Sequence, residues 1–333
     1  MRKIKCAVFG AGSMARLHSR NAEAGGQAEV VGVCSRSSSS AAALSEELQR
    51  EVPFYRDFYR MLDEAQPEAL LVCVPPYAHK GEVEAAAERG VHLFLEKPLA
   101  LHLERAASMC AAVEKSGVIT QVDFHHRFHP LVHRIKQLIE GGIGGKPLLM
   151  QTRFFCNSLH TAWWRDKDRS GGQLLEQVIH LFDLILYFLG PINRVNAFRD
   201  TLCHQEQLDY TVEDTTVASM RADSGAMVSL AASNCGIPQQ WEAAFHLICE
   251  KITGIYSSIE AGRIVWTGDP NEAPDLTIPR IYTEPHKAAL VEFLDALQNK
   301  KTTSVTLQAA YTAQELVMRV IESADNGQYS QST

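Results

Sequence analysis

Residues 4–18 read IKCAVFGAGSMARLH. Ile4 to Phe9 is a short apolar run of strand composition, and Gly10-Ala11-Gly12 breaks it before a helical stretch that reaches Ala24 and stops at Gly25-Gly26. A strand, then Gly10-x-Gly12-x-x-Ala15, then a helix is the pattern of a dinucleotide-binding turn. Gly10 permits the tight turn, Gly12 lets the backbone approach a pyrophosphate, and the small Ala15 allows close helix–strand packing. The turn and helix start, from Gly10 through Ala11, Gly12, Ser13 and Met14, offer unfilled N–H groups and a positive dipole end to such an anion.

The pattern outward from this turn agrees. Val30 to Cys34, Ala69 to Val74, Val91 to Leu95 and Val118 to Val122 are further apolar runs. Amphipathic stretches from Ser37 to Arg50, Ala78 to Arg89 and up to Lys115 separate them. Continuous apolar strands alternating with helices predict a doubly wound parallel sheet, an N-terminal Rossmann-type α/β domain over residues 1–122. After 123 the pattern changes. A long helix over Gly172 to Leu189 ends at Gly190-Pro191, and alternating stretches follow at 194–198, 215–221, 227–232, 244–249 and 253–259. They predict an α+β domain over 123–333 with a largely antiparallel sheet, one face covered and one open. Asp223-Ser224-Gly225 reads as a hairpin turn. Val217, Ser219, Val228, Leu230 and Phe245 supply that sheet with apolar and small residues.

At 333 residues and 46% hydrophobic, the chain has material for about two cores. A net charge of −7 argues against a basic nucleic-acid-binding face. The eight cysteines show no C-x-x-C spacing, and the N-terminal apolar stretch is too short for a signal segment. The expectation is a cytoplasmic protein with reduced thiols that engages neither nucleic acid nor membrane.

The tip of the second strand, Val33-Cys34-Ser35-Arg36-Ser37, carries no carboxylate to bind ribose hydroxyls. Arg36 can fork onto a 2′-phosphate, with Ser35 and Ser37 as further donors, so NADP is favoured over NAD. Pro75-Pro76-x-x-His79 ends one strand, and Glu96-Lys97-Pro98 ends the next. Ligands bind at such carboxyl ends. Gly171-Gly172-x-x-x-Glu176-x-x-x-His180-x-x-Asp183 follows in the second domain, with Glu176 and His180 four apart on one helix face.

Together with Asp123-Phe124-His125-His126-Arg127-Phe128, these motifs make the chain resemble the glucose–fructose oxidoreductase, inositol dehydrogenase and MocA family over nearly its whole length. The resemblance implies that Lys97 and His180 flank the reacting carbon, assisted by a carboxylate that falls on Glu176, where most members carry Asp. It implies cofactor contacts from Pro75, His79, Glu96, Lys97, Trp164 and Arg165, and substrate contacts from His125 and Arg127 in a cleft between domains. The chemistry of the residues agrees: Lys97 can stabilise alkoxide charge, and His180 can take or return the hydroxyl proton. The expected activity is NAD(P)-dependent hydride transfer at a hydroxyl- or keto-bearing carbon of a sugar, polyol or related cyclic substrate. The alternatives are reduction of a non-sugar carbonyl or dihydrodiol, and a catalytically silent dinucleotide sensor. Sheets of this family often pair face to face, which suggests a homodimer or homotetramer. The His125, His126, His129 and His133 group invites a metal, but His129 precedes Pro130, which breaks the one-face helical arrangement. No metal site is expected there or at Glu176, His180 and Asp183.

Overall fold

The computed structural model describes residues 2–258, 261–278, 284–327 and 330–331. The chain forms two compact units. The first holds a six-stranded parallel sheet of β1 (Ile4–Phe9), β2 (Ala28–Cys34), β3 (Phe54–Tyr55), β4 (Ala69–Val72), β5 (His92–Leu95) and β6 (Thr120–Val122). Their order across the sheet is β3-β2-β1-β4-β5-β6, the doubly wound arrangement that the apolar runs predict. All of β4 and nearly all of β5 are buried, because helices cover both faces. Of these six strands, only the two-residue β3 was absent from the sequence pattern, because its length leaves no periodicity to read; the helix Phe58–Ala65 after it was not read either.

Register aligns the strand ends. Tyr55, Cys34, Phe9, Val72, Leu95 and Val122 form one row across the sheet. The residues that follow them, among them Gly10, Ser35, Glu96 and Asp123, therefore leave the sheet at a single edge.

The expected domain limits, 1–122 and 123–333, differ from the units in two respects. The first unit runs to His125 and also takes back the helix Pro285–Asn299 and the chain up to Tyr311. The reason is packing: this helix lies against β5, β6 and the helix Ser13–Ala24, and its Phe293 and Leu294 are fully buried there.

The second unit is built on β7 (Pro147–Phe155), β8 (Ile192–Asp200), β9 (Thr215–Ala222), β10 (Met227–Ser233), β11 (Glu242–Cys249), β12 (Ile252–Ser258), β13 (Ala261–Trp266) and β14 (Ser330–Gln331). The order is β13-β12-β11-β7-β10-β9-β8-β14, antiparallel except for β7 beside β10. Burial alternates along β9, as period two requires: Ala218, Met220 and Ala222 face inward, and Val217 is half exposed. The five residues expected to supply the sheet divide between its faces. Val217 and Ser219 lie on the open face with Phe198 and Met227, whereas Val228, Leu230 and Phe245 are buried on the covered one.

Lys167–Leu189 is long and apolar enough by composition to cross a membrane, yet 83% of its most apolar window is buried in the interior, as in a core helix. Within it, Leu174–Val178 forms a π-helical turn before the α-helix Ile179–Leu189, where the sequence predicts an uninterrupted α-helix. The α-helix is held by Arg127, whose Nε and Nη2 donate to Asp183 Oδ2 and Oδ1 at 2.7 and 2.5 Å. The Arg127 guanidinium also lies 4.6 Å over the Tyr187 ring. The two charged side chains are 11% and 1% exposed. Burial raises the Asp183 carboxyl above its ordinary value although Arg127 opposes it. Replacing Arg127 with Met strands that buried carboxylate, and we expect a loss of about 3–5 kcal/mol. Adding Asp183→Leu should recover most of it, as read from urea-unfolding midpoints.

Candidate active site

At the first unit's strand-end edge, Gly10 has φ +96°, and a Cβ there would sit 2.3 Å from the Cys73 carbonyl oxygen, so glycine is obligatory. Gly12 is different: a Cβ would meet no protein atom within 4 Å. Gly12 begins the helix Ser13–Ala24, and no side chain caps it. Open space before uncapped N–H groups fits a pyrophosphate, so these residues fit a bound dinucleotide. Met14 is half-buried, and Ala15 is fully buried against the sheet.

Arg36 is exposed just past β2. Its serine neighbours are engaged locally. Ser35 Oγ donates to the Ser37 carbonyl, and Ser37 Oγ accepts from Ser40 N–H, capping the helix Ser38–Glu47. Pro75 opens a 3₁₀ turn, and His79 Nδ1 pairs with Glu82. Burial raises Glu82, but His79 and the Lys80 N–H prevail and hold its carboxyl below the ordinary value. His79 Nε2 is buried with no protein partner among the described residues, a polar atom left for a bound molecule.

Lys97 is half-buried between Glu96 and Pro98, which are both buried. Glu96 was expected on the cofactor; its carboxylate instead turns inward, with Oε1 2.7 Å from His18 Nε2. His18 Nε2 also lies 3.4 Å from Asp123 Oδ2, and His286 Nδ1 lies 2.5 Å from that same oxygen. The His125 ring packs 3.9 Å from the His286 ring. Two imidazoles around two carboxylates resemble a metal cage. However, zinc ligands at about 2.05 Å in a tetrahedron stand about 3.3 Å apart, and separations of 2.5 and 2.7 Å are hydrogen bonds. Burial pulls both imidazoles down, yet the hydrogen bonds and fields of Glu96 and Asp123 outweigh it and hold His18 and His286 above the ordinary 6.5. Behind Lys97, therefore, is a buried cluster whose two imidazoles bind a proton more readily than a free imidazole does. His18 and His286 were missed because they lie far from Glu96 and Asp123 in the chain, and no local spacing links them.

In the second unit, His180 is buried, with its ring 5.2 Å from the His126 ring. His126 Nδ1 in turn lies 2.9 Å from the Tyr256 hydroxyl, which burial pushes well above the usual phenol range. Glu176, on the π turn, accepts from Trp164 Nε1 at 2.9 Å. Trp164 is 3% exposed and packs with Tyr210 and Val212, and Arg165 Nη2 donates to Asp209 at 2.5 Å. Both were expected to reach the cofactor; within the second unit Trp164 is bonded to Glu176 and Arg165 to Asp209. Arg127 and His125 were expected on substrate; Arg127 pairs with Asp183, and the His125 ring packs at a tilt against His286. The histidine group disperses further: His129 caps the helix Pro130–Glu140, and His133 meets Gln137.

Residues the sequence reading missed surround Trp164. The His160 ring lies 4.0 Å from it and 5.0 Å from Trp241, which is 55% exposed. Phe155, Ser233, Thr215 and Glu242 share one register row, so Trp241 and the segment after β7 emerge at one edge of the sheet. Trp241 thus reaches Trp164 only through the His160 ring between them, and leaves about half of its own surface exposed.

The chain matches the model of the "Oxidoreductase family, NAD-binding Rossmann fold" over residues 4–124 and that of the "GFO/IDH/MocA C-terminal domain" over 132–253. It belongs to the GFO/IDH/MocA oxidoreductases. It is 25% identical to D-glucoside 3-dehydrogenase of Escherichia coli, over 97% of this chain and 96% of that one. It is 28% identical to the NAD(+)-dependent scyllo-inositol 2-dehydrogenase of Bacillus subtilis, over 91% and 89%. Among solved structures, the WlbA dehydrogenase of Bordetella pertussis, in complex with NADH and UDP-GlcNAcA, shares the fold at TM-score 0.89 and 24% identity, over 100% of this chain and 98% of that one.

The buried cluster has a pH signature. Imidazoles held above 6.5 contribute stability that is complete below that value and is lost as pH rises through their folded-state values. Burial lowers His92 and His160 and acts the other way, so the contribution is read as a difference: the melting-temperature gap between wild type and His286→Gln should shrink as pH rises from 6 upward. Identical slopes would show that His286 carries no extra proton in the folded state.

Proposed function

We propose that the chain is an NAD(P)-dependent dehydrogenase acting on a secondary hydroxyl of a sugar, polyol or related cyclic alcohol. The observation that carries this reading is Lys97 at the same strand-end edge as the Gly10–Gly12 turn. The named relatives, a glucoside and an inositol dehydrogenase, support the substrate class.

When bound, the nicotinamide supplies the acceptor for hydride from the substrate carbon. Gly10, Ala11, Gly12, Ser13 and Met14 bind the pyrophosphate through backbone N–H groups. Arg36 favours NADP by meeting the 2′-phosphate, since its exposed guanidinium stands where no carboxylate competes. Lys97 donates to the substrate oxygen and stabilises its developing negative charge. His180 takes the hydroxyl proton, or returns it in the reductive direction. Glu176, oriented by Trp164, adds negative charge one turn before His180. The half-exposed apolar residues on the open sheet face, Phe198, Val217 and Met227, suit pairing with a second copy.

The test is a screen of hexosides, inositols and other polyols with NADP and NAD, following nicotinamide absorbance. Lys97→Ala and His180→Ala should each lower turnover by ~10²–10⁴-fold while leaving cofactor binding near wild type. Arg36→Ala should weaken NADP relative to NAD by ~10–100-fold. Tight cofactor binding with no turnover of any alcohol or ketone would instead identify a dinucleotide sensor.

A further inference from the structure

We propose that Cys203, His204 and Cys235 form a zinc-binding site in the second unit, with three protein ligands and a fourth position open to solvent. One donor atom from each residue lies within 4.8 Å of the other two. The topology brings them together. Asp200 ends β8, Thr215 starts β9 and Ser233 ends β10, and these three residues pair with one another in a single register row. Cys203-His204 and Cys235 therefore leave the sheet within a few residues of the same row, on either side of the start of β9.

The supporting contacts are those of a metal-binding histidine. His204 Nδ1 lies 3.1 Å from Oδ2 of the fully buried Asp214, so the imidazole is oriented by a carboxylate and its Nε2 is turned away from that partner. Asp214 also accepts the backbone N–H groups of Leu202, Cys203 and His204, each at 2.9 Å, which fixes the segment that presents both donors. The Tyr210 ring stacks on His204 at 4.4 Å and 22°, and its hydroxyl accepts from Asn234, the residue before Cys235. The imidazole is thus braced from two sides.

The donor set selects the ion. Two thiolates and one imidazole are soft to borderline ligands, suited to zinc and poorly suited to magnesium or calcium. Binding would displace the thiol protons to solvent, and the two thiolates then balance a divalent charge. Cys203 is exposed and the other two are partly so, which gives an ion an entry path. A bound ion would tie the 201–214 segment to the end of β10, next to the group formed by Trp164 and Tyr210. The proposal is independent of the hydride-transfer reading.

Reduced full-length protein is titrated with Co²⁺, followed by Zn²⁺ competition. The expected result is saturation near about one equivalent per chain, with thiolate-to-cobalt charge-transfer and tetrahedral d–d absorption that zinc abolishes. Cys203→Ser, at an exposed position, and His204→Ala should each weaken uptake, and Cys203→Ser with Cys235→Ser should eliminate the charge-transfer band. Circular dichroism checks that each variant is folded. Absence of saturable uptake by the wild type, or a charge-transfer band that survives in the double variant, would overturn the site.

Discussion

Six parallel strands that end in one register row impose the constraint on which the first unit depends. Because Phe9, Cys34, Val72, Leu95 and Val122 are paired side by side, whatever follows each strand is delivered to the same edge. The Gly10 turn, Arg36, Glu96-Lys97 and Asp123 are far apart in the chain and meet there. The same constraint creates a difficulty, since it brings Glu96 and Asp123 together in the interior. Two buried carboxylates repel and are costly to desolvate. His18 and His286, whose affinity for a proton is raised there, face that charge, and Lys97, next to Glu96 in the chain, adds a positive charge.

The second unit meets a related requirement by other means. Its sheet separates covered from open faces by strict alternation, and a helix as apolar as 179–189 can be buried beneath it. That helix carries Asp183 and His180 into the interior, and each acquires a partner. Arg127 forks onto Asp183, and His126, held by Tyr256, packs against His180. The π turn at Leu174–Val178 changes the angular offset of residues before the α-helix, and Glu176 is directed to Trp164.

How far the site could be read in advance depended on the range of each interaction. The Gly10–Gly12 turn was legible because its chemistry lies within six residues: a positive φ, a close backbone approach and an uncapped helix start. The strands β4 and β5 were legible because burial on both faces leaves a continuous apolar run. Lys97, His180 and Glu176 were nominated by motif. The inward turn of Glu96 was not, since its partner His18 is 78 residues away. The engagement of Arg165 by Asp209 was equally hidden across 44 residues. That the helix Pro285–Asn299 packs with the first unit was not legible, because nothing in its own sequence records which sheet it covers.

The amino-acid order by itself determined the alternation of strands and helices, the glycine positions of the dinucleotide turn and the residue types able to handle a hydroxyl and its proton. These follow from periodicity, backbone sterics and side-chain chemistry, which act locally. Tertiary structure alone decided which polar groups are sequestered and with whom: His18 with Glu96, His286 with Asp123, Arg127 with Asp183, and His204 with Asp214 beside Cys203. A buried charge must find its counter-charge in space, and distance along the chain places no limit on where that partner comes from.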